Sequence, residues 1–146
     1  MTDISTLISL AAQIRQLYCS TCKEVCKKYS LSQSDFDVLE YLSSPCSGDT
    51  VSEISKDRLI KKANASTAAD RLIKKGYLTR VPDEFDKRVI HLKLTKESGE
   101  AVCEVMRANE EFTRYFTEYL SESELEGFSL TVRKLINGPE KTAAAY

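Results

Sequence analysis

Apolar residues recur at intervals of three and four along most of the chain, which is the spacing of one buried helix face. Two of these patterns are long and lie toward the two ends of the chain, and they predict amphipathic helices over residues 4–29 and 95–120. Shorter patterns predict four more helices, over residues 33–43, from 51 to about 60, over 63–75, and from 122 to about 138.

Several polar residues mark where these helices begin. Ser32 is placed to cap the second helix, and the sequences TVSE and SESE are capping boxes that start at Thr50 and Ser121. Gly76 is a good residue just past a helix end, because it tolerates a positive φ angle.

Beyond Gly76 the apolar spacing changes from about 3.6 to two. The stretches YLTRV and VIHLKL alternate, and the polar stretch PDEFDKR between them reads as a turn. This part of the chain therefore predicts a two-stranded hairpin.

The element order predicts a mainly α fold with a small β-hairpin wing, that is, a winged helix-turn-helix with long N- and C-terminal helices. These two helices are too long to bury their apolar stripes on so small a centre, so we expect them to pack on each other and on a second copy of the chain. The predicted organisation is a helical dimerisation region (1–30 and 96–138), a winged helix-turn-helix region (31–95) and a flexible tail (139–146).

Composition and the search for targeting signals limit the class of protein. The chain has 146 residues, of which 42% are hydrophobic and 29% charged, as in ordinary globular proteins. It shows no apolar run long enough to cross a bilayer and no export signal. We therefore expect a cytoplasmic protein with no membrane partner, whose five cysteines are not a disulfide framework.

The charge is distributed unevenly along the chain. The net charge is −1, yet residues 56–93 contain eleven Lys or Arg against five Asp or Glu, a local charge of +6 that leaves −7 for the rest. A basic block within an acidic molecule is what localised phosphate binding requires. In a winged helix-turn-helix the second helix enters the major groove of double-stranded DNA and the wing reaches the adjacent minor groove.

This geometry selects the candidate DNA-binding residues. Those expected on or near the recognition helix are Lys61, Lys62, Asn64, Ser66, Thr67, Arg71 and Arg80, with Arg71 reaching a phosphate or a base edge. At the wing we expect Lys87 and Arg88 to reach DNA, with Asp86 orienting Arg88 by a charge-assisted hydrogen bond.

The stretch FDKRVIHLKLT, from Phe85 to Thr95, resembles the wing signature of MarR/SlyA transcription regulators, in which Asp-x-Arg is followed after five residues by Leu-Thr. The stretch from Thr50 to Arg80 lies where that family has its helix-turn-helix. The resemblance implies a homodimeric DNA-binding protein, usually a repressor, that binds a palindromic operator until a small ligand or an oxidant releases it. It places Asp86 and Arg88 on the family's wing pair, and Ser66 and Thr67 on recognition-helix contacts.

The cysteines leave the regulatory signal open. Cys19, Cys22 and Cys26 share one edge of the first helix, near lysines that can lower a thiol pKa, and the other two cysteines are Cys46 and Cys103. One interpretation is a redox-active thiol sensor; another is a soft metal ion, Zn²⁺ or Cu⁺, bridging several sulfurs, although the spacing is not that of a zinc knuckle. A third is that these side chains only pack as small hydrophobes.

Other hypotheses remain beside these. A small aromatic ligand is a further effector, with Tyr18, Phe36 and Tyr41 lining its pocket or simply forming core. A winged helix that docks proteins without binding DNA is the alternative of another class. A thiol enzyme is disfavoured, because His91, the one histidine, is expected to be solvated on the outer face of a strand.

Overall fold

Helices dominate the part of the chain that the structure describes. The computed structural model describes residues 3–45 and 47–138, so Cys46 and the predicted tail 139–146 lie outside the described residues. Within them it contains two strands, one 3₁₀ helix and six α-helices: α1 (Ile4–Tyr29), α2 (Gln33–Ser43), α3 (Val51–Arg58), α4 (Lys62–Lys74), β1 (Leu78–Pro82), β2 (Ile90–Leu94), the 3₁₀ helix (Lys96–Ser98), α5 (Gly99–Thr117) and α6 (Glu122–Ile136).

The predicted fold class is confirmed, and so are the predicted caps. The hydroxyls of Ser32, Thr50 and Ser121 each accept the backbone N–H of the residue three positions on, and an acidic side chain at that position reaches back to the cap's own N–H. The fifth helix differs from its prediction. Residues 96–98 form a 3₁₀ helix, in which Ser98 Oγ donates to the Thr95 carbonyl at 2.7 Å, so the α-helix starts at Gly99 and not at Thr95.

The hairpin is antiparallel and is extended on one side by a loop. Leu78 lies opposite Leu94, and Val81 lies opposite His91. On the outer edge of β2, the Leu92 backbone N–H donates to the Asp49 carbonyl at 2.7 Å. The segment just before α3 is therefore attached to the wing by its backbone.

The division of the chain places the helix-turn-helix and the wing in one unit, Met1–Phe112, with a second unit over Thr113–Tyr146. The core of the first unit lies among α2, α3, α4 and the hairpin, and its largest fully buried apolar side chains include Phe36, Leu39, Ile54, Leu72 and Leu78. Helix α4 contributes mostly small residues, because Ala65, Ala68 and Ala69 are all buried. Alanines at spacings of three and four let neighbouring helices approach α4 closely while its other face stays exposed.

Three helix ends have a residue in the left-handed region, and the first is Ser30 after α1, with φ +52°. After α4, Gly76 has φ +79°, and the Tyr77 N–H reaches back to the Leu72 carbonyl at 2.9 Å. This is the glycine termination that the sequence predicts. After α3, the left-handed position is occupied by Leu59, which has φ +53° and a side chain that is 92% exposed.

Many of the exposed large apolar side chains lie on the terminal helices. Four are at the start of α1, at Ile4, Leu7, Ile8 and Leu10, and four are on α6, at Phe128, Leu130, Leu135 and Ile136. The others in the part of the chain that the structure describes are Leu59 after α3, Val81, Phe85 and Val89 in the wing, Met106 and Tyr115 on α5, and Tyr119. None of the helices within the described residues combines the length and apolar character of a membrane span.

Candidate nucleic-acid interface

The outward face of α4 carries the predicted recognition residues. Burial of its alanines on the other side leaves Lys61, Lys62, Asn64, Ser66 and Thr67 exposed around the first two turns. The Thr67 hydroxyl donates to the Ala63 carbonyl at 2.8 Å, so an approaching group meets Thr67 as an acceptor. The face is thus polar, lies at the positive end of the helix dipole and begins with two lysines.

A groove of about 410 Å³ separates α4 from the wing. Its floor is apolar, and cationic side chains from three elements stand along it. The residues that line it are Thr50, Val51, Ser52, Lys62, Ser66, Ala69, Arg80, Arg88, Val89, Ile90 and Leu92.

The wing presents Arg88 on a side-chain clamp, as the sequence predicts. The guanidinium donates to both carboxylate oxygens of Asp86, Nε to Oδ1 at 3.0 Å and Nη2 to Oδ2 at 3.1 Å. The Arg88 side chain is 90% exposed. Hydrogen bonds from the Arg88 side chain and backbone lower the pKa of Asp86, and the same pairing raises the pKa of Arg88.

The wing turn is held in shape by Asp83. Its carboxylate Oδ1 accepts the backbone N–H groups of Phe85 and Asp86 at 2.9 and 2.8 Å, and its own N–H donates to the Val89 carbonyl at 2.9 Å. A hydrogen bond from His91 and these two N–H groups lower the pKa of Asp83 to about 2. The turn therefore presents Lys87 and Arg88 on a defined backbone.

Arg71 makes a contact that the sequence does not predict. Its Nε lies 3.0 Å and its Nη2 2.8 Å from Asp35 Oδ1, and Nη2 also donates to Ser32 Oγ at 2.9 Å. Asp35 is only 2% exposed and belongs to the capping box of α2. Arg71 therefore ties α4 to the start of α2, and the expected reach to a phosphate or a base edge is not the contact that the structure shows.

The remaining cations differ in how firmly they are held. Arg80 pairs with Asp70 of α4, and both side chains are 51% exposed. An exposed pair of this kind contributes little to stability and exchanges readily for another anion. Within residues 3–45 and 47–138, Lys61, Lys62 and Lys87 are exposed and form no ion pair.

Burial opposes thiolate formation at two of the three cysteines of α1. Cys22 is 1% exposed, and burial raises its pKa to about 11; burial also raises the pKa of Cys26. The expectation that nearby lysines lower thiol pKa values is wrong for these two residues, because burial desolvates the thiolates and is the largest cause of both shifts. Cys19 is half-buried and Cys103 is exposed. In the described part of the chain, no three Cys, His, Asp or Glu side chains form a group that could hold a metal ion.

The three aromatic residues predicted for a ligand pocket are packed into the protein. The Tyr18 ring meets Phe36 edge to face with centroids 6.1 Å apart, and its hydroxyl donates to Asp37 at 3.1 Å. The Tyr41 hydroxyl donates to Asp57 of α3 at 2.6 Å. Phe36 is fully buried and Tyr41 is 3% exposed, which agrees with their alternative interpretation as core.

His91 corrects a second expectation. Its ring is about a quarter exposed, but both nitrogens have protein partners, because Nδ1 lies 2.5 Å from Asp49 Oδ1 and Nε2 lies 2.9 Å from Asp83 Oδ2. The three residues come from the loop before α3, the wing turn and β2, and no local pattern in the sequence links them. The same holds for Asp35 and Arg71, although the Ser-x-x-Asp spacing at Ser32 does indicate the capping role of Asp35.

Known proteins share parts of this sequence and this fold. Residues 29–89, which contain the helix-turn-helix and most of the wing, match the model of the MarR family. No curated protein matches the chain. Among solved structures, the chain is similar to apo MarR from E. coli, with 20% identity, coverage of 92% of this chain and 98% of that one, and a TM-score of 0.66.

Two further structures are similar over nearly their whole length. A MarR-family transcriptional regulator from Silicibacter pomeroyi has 18% identity, with 91% of this chain and 90% of that chain covered, and a TM-score of 0.78. BpsR from Bordetella bronchiseptica, whose DNA binding is regulated by 6-hydroxynicotinic acid, has 19% identity, 95% and 99% coverage, and a TM-score of 0.72. At these identities the likeness establishes the winged-helix fold.

Proposed function

We propose that this chain forms a homodimer that binds double-stranded DNA in a sequence-specific way. The match of residues 29–89 to the MarR family model and the likeness of the fold to MarR-family structures support this proposal. The protein acts in the cytoplasm as a transcriptional repressor, by occupying a palindromic operator, and it is not an enzyme. Its partners are DNA, a second copy of itself and a small effector.

The observation that carries this proposal is the convergence of cations on one groove. Lys62 comes from α4, Arg80 from β1 and Arg88 from the wing, and all three line the same space beside the polar face of α4. Charges from three elements on one side of an otherwise acidic chain suit a phosphate backbone that passes between the recognition helix and the wing.

Each element then has a role that its geometry supports. The first turns of α4 enter the major groove, where Asn64 and Ser66 meet base edges and Lys61 and Lys62 meet phosphates. The wing reaches the adjacent minor groove. Arg88 uses two of its five N–H donors on Asp86, so three remain for DNA, and the bidentate pair fixes the plane of the guanidinium before binding.

The exposed apolar side chains of the terminal helices support the dimer. In each unit the chain leaves several large apolar residues in water, and a second copy can cover them. A two-fold dimer presents two α4 helices to one face of a duplex, and an operator with half-sites about one helical turn apart matches that symmetry.

The structure bears differently on the thiol hypothesis and on the hypothesis of a small aromatic effector. Cys22 and Cys26 have raised pKa values, which opposes a signal that starts from a thiolate on the inner edge of α1. If one of the four described cysteines carries the signal, exposed Cys103 is the most accessible to an oxidant. A small aromatic effector makes no such demand on the thiols.

The direct test is selection of duplexes from a randomised pool, followed by affinity measurements over a range of salt concentrations. We expect enrichment of palindromic sequences and an affinity that falls steeply with salt. Arg88→Ala should lower the slope of log affinity against log salt by roughly one.

The control for this variant is Arg107→Ala. Arg107 is also an exposed arginine in a local ion pair, with Glu104 on α5, but it lies outside the groove, and its removal should leave the slope unchanged. No salt-dependent duplex binding in dilute buffer would instead favour a winged helix that docks proteins.

A further inference from the structure

The single histidine of the chain sits between two carboxylates at the base of the wing. Nδ1 of His91 lies 2.5 Å from Asp49, Nε2 lies 2.9 Å from Asp83, and the ring is about a quarter exposed. An ionised carboxylate can only accept a hydrogen bond, so the ring must donate from both of its nitrogens. Only the protonated imidazolium has an N–H group on each nitrogen.

Each carboxylate also connects the histidine to a different part of the candidate interface. The Asp83 carboxylate shapes the wing turn that carries Lys87 and Arg88. Asp49 precedes α3, where its backbone N–H donates to Glu53 of the α3 capping box at 3.0 Å and its carbonyl accepts from β2. The histidine therefore links the wing turn to the start of the helix-turn-helix.

The charges around the ring come from three segments. Asp49 faces it from the loop, Asp83 from the wing turn, and Lys93 lies on the same face of β2 and binds Asp49 Oδ2 at 2.5 Å. Strand β1 contributes no charge on that face, where Thr79 and Val81 lie opposite Lys93 and His91. Two further carboxylates lie close to this cluster, Glu53 near Asp49 and Asp86 near Asp83.

The balance of this cluster depends on one proton. With an imidazolium, the two carboxylates are matched by His91 and Lys93, and the four charges cancel. After loss of the proton the cluster carries −1, and one ring nitrogen points a lone pair at a carboxylate. One of the two hydrogen bonds is then lost, and a negative charge is left beside the surface that meets phosphate.

We propose that His91 is a positioning residue for DNA binding: its imidazolium links the wing turn to the start of α3 and so holds Arg88 over the groove, and deprotonation weakens this link and lowers the affinity for DNA. This inference rests on the DNA-binding function proposed above. His91 itself does not touch DNA, and it acts through Asp83 and Asp49.

The electrostatics agree with this geometry. Hydrogen bonds that the ring donates to the two carboxylates raise the pKa of His91 above its ordinary value of 6.5, with Asp49 the larger cause. For a group with a raised pKa in the folded state, the stabilisation is complete below pH 6.5 and is lost as pH rises through the higher folded value. The link between the wing turn and α3 is therefore complete below pH 6.5 and weakens as the pH rises through the folded-state pKa of His91.

The titration is directly measurable because the chain has one histidine. NMR of the His91 ring carbon–proton pair should give a single curve with a midpoint above 6.5, and Asp83→Asn and Asp49→Asn should each lower it. A wild-type midpoint at or below 6.5 would contradict the proposed link through an imidazolium at His91.

The functional arm measures affinity for a selected duplex between about pH 6 and about pH 9 at fixed salt. We expect wild-type affinity to fall about two- to fivefold over this range, the scale of one screened ion pair. His91→Gln should remove that pH dependence, whereas Lys93→Gln, which removes a charge from the same face without removing the titrating group, should retain it.

The outcomes separate the two proposals. Binding that is equally flat in pH for wild type and His91→Gln overturns the positioning role while leaving DNA binding intact. Absence of duplex binding at every pH overturns the proposed function, and the positioning role with it, even if the NMR curve shows the raised midpoint.

Discussion

Replacing Arg71 with leucine tests whether this residue is part of the scaffold or part of the DNA-reading surface. In the structure its guanidinium bonds both Asp35 and Ser32, and Asp35 is 2% exposed. Leucine keeps the aliphatic contacts of the stem but leaves the carboxylate without a cation. The remaining partner of that carboxylate is the Ser32 backbone N–H, at 2.8 Å.

The expected cost follows from the burial of the two partners. Removing one partner of a fully buried ion pair destabilises a protein by about 3–5 kcal/mol. Here the Arg71 side chain is 43% exposed, so its end of the pair is partly screened by water and the gain that is lost is smaller. We therefore expect Arg71→Leu to lower the free energy of unfolding by about 2–3 kcal/mol. Asp35→Asn keeps one acceptor oxygen and places an NH₂ donor against either Arg71 or the Ser32 backbone N–H, so it should also destabilise the protein, by about 1–3 kcal/mol.

The assay is urea unfolding followed by circular dichroism at one fixed chain concentration, because the stability of a dimer depends on concentration. With a slope of about 1.5–2 kcal/mol per molar urea, the midpoint of Arg71→Leu should fall by about 1–2 M. Arg80→Leu is the matched control, since its pair with Asp70 is half-exposed on both sides and should be worth less than about 1 kcal/mol.

Equal urea midpoints for the two leucine variants would contradict a structural role of the Arg71–Asp35 pair. So would an Arg71→Leu variant that is as stable as wild type but loses discrimination between selected and random duplexes. That second result would mean that Arg71 leaves Asp35 and reads DNA.

Two further predictions concern single side chains. Leu59→Asn should raise the free energy of unfolding by about 0.5–1 kcal/mol in the same urea assay, because Asn tolerates the left-handed backbone of this exposed position better than leucine. A loss of stability would show that the backbone at Leu59 is not strained. In a thiol-exchange assay at about pH 8, exposed Cys103 should react faster than buried Cys22, whose pKa is about 11. Cys103→Ser should therefore remove a faster phase than Cys22→Ser removes, and the reverse order would restore the hypothesis of an activated thiol cluster on α1.

The helices and the hairpin could be predicted from the sequence because their signals are local. The period of apolar residues, the capping boxes at Thr50 and Ser121, and the glycine at position 76 each act within a few residues of the feature that they determine. Where the fifth helix differs from its prediction, the difference is one turn of 3₁₀ helix, in which Ser98 bonds back to Thr95.

The candidate site was predicted less completely because its contacts join distant segments. The clamp between Asp86 and Arg88 spans two residues and was predicted. The bond from Arg71 to Asp35 spans 36 residues, and His91 reaches 42 residues back to Asp49, so neither follows from spacing. The pKa values of Cys22 and Cys26 were misjudged for a related reason: sequence shows neighbouring lysines but not the burial that outweighs them.

The central claim is that two copies of this chain hold one duplex between their recognition helices and wings. Sedimentation velocity of the protein mixed with a selected duplex of about two helical turns tests it most directly. We predict a single complex of two chains per duplex in dilute salt, which dissociates as salt is raised. A monomer that leaves the duplex sedimenting alone, even in dilute buffer, would contradict the claim.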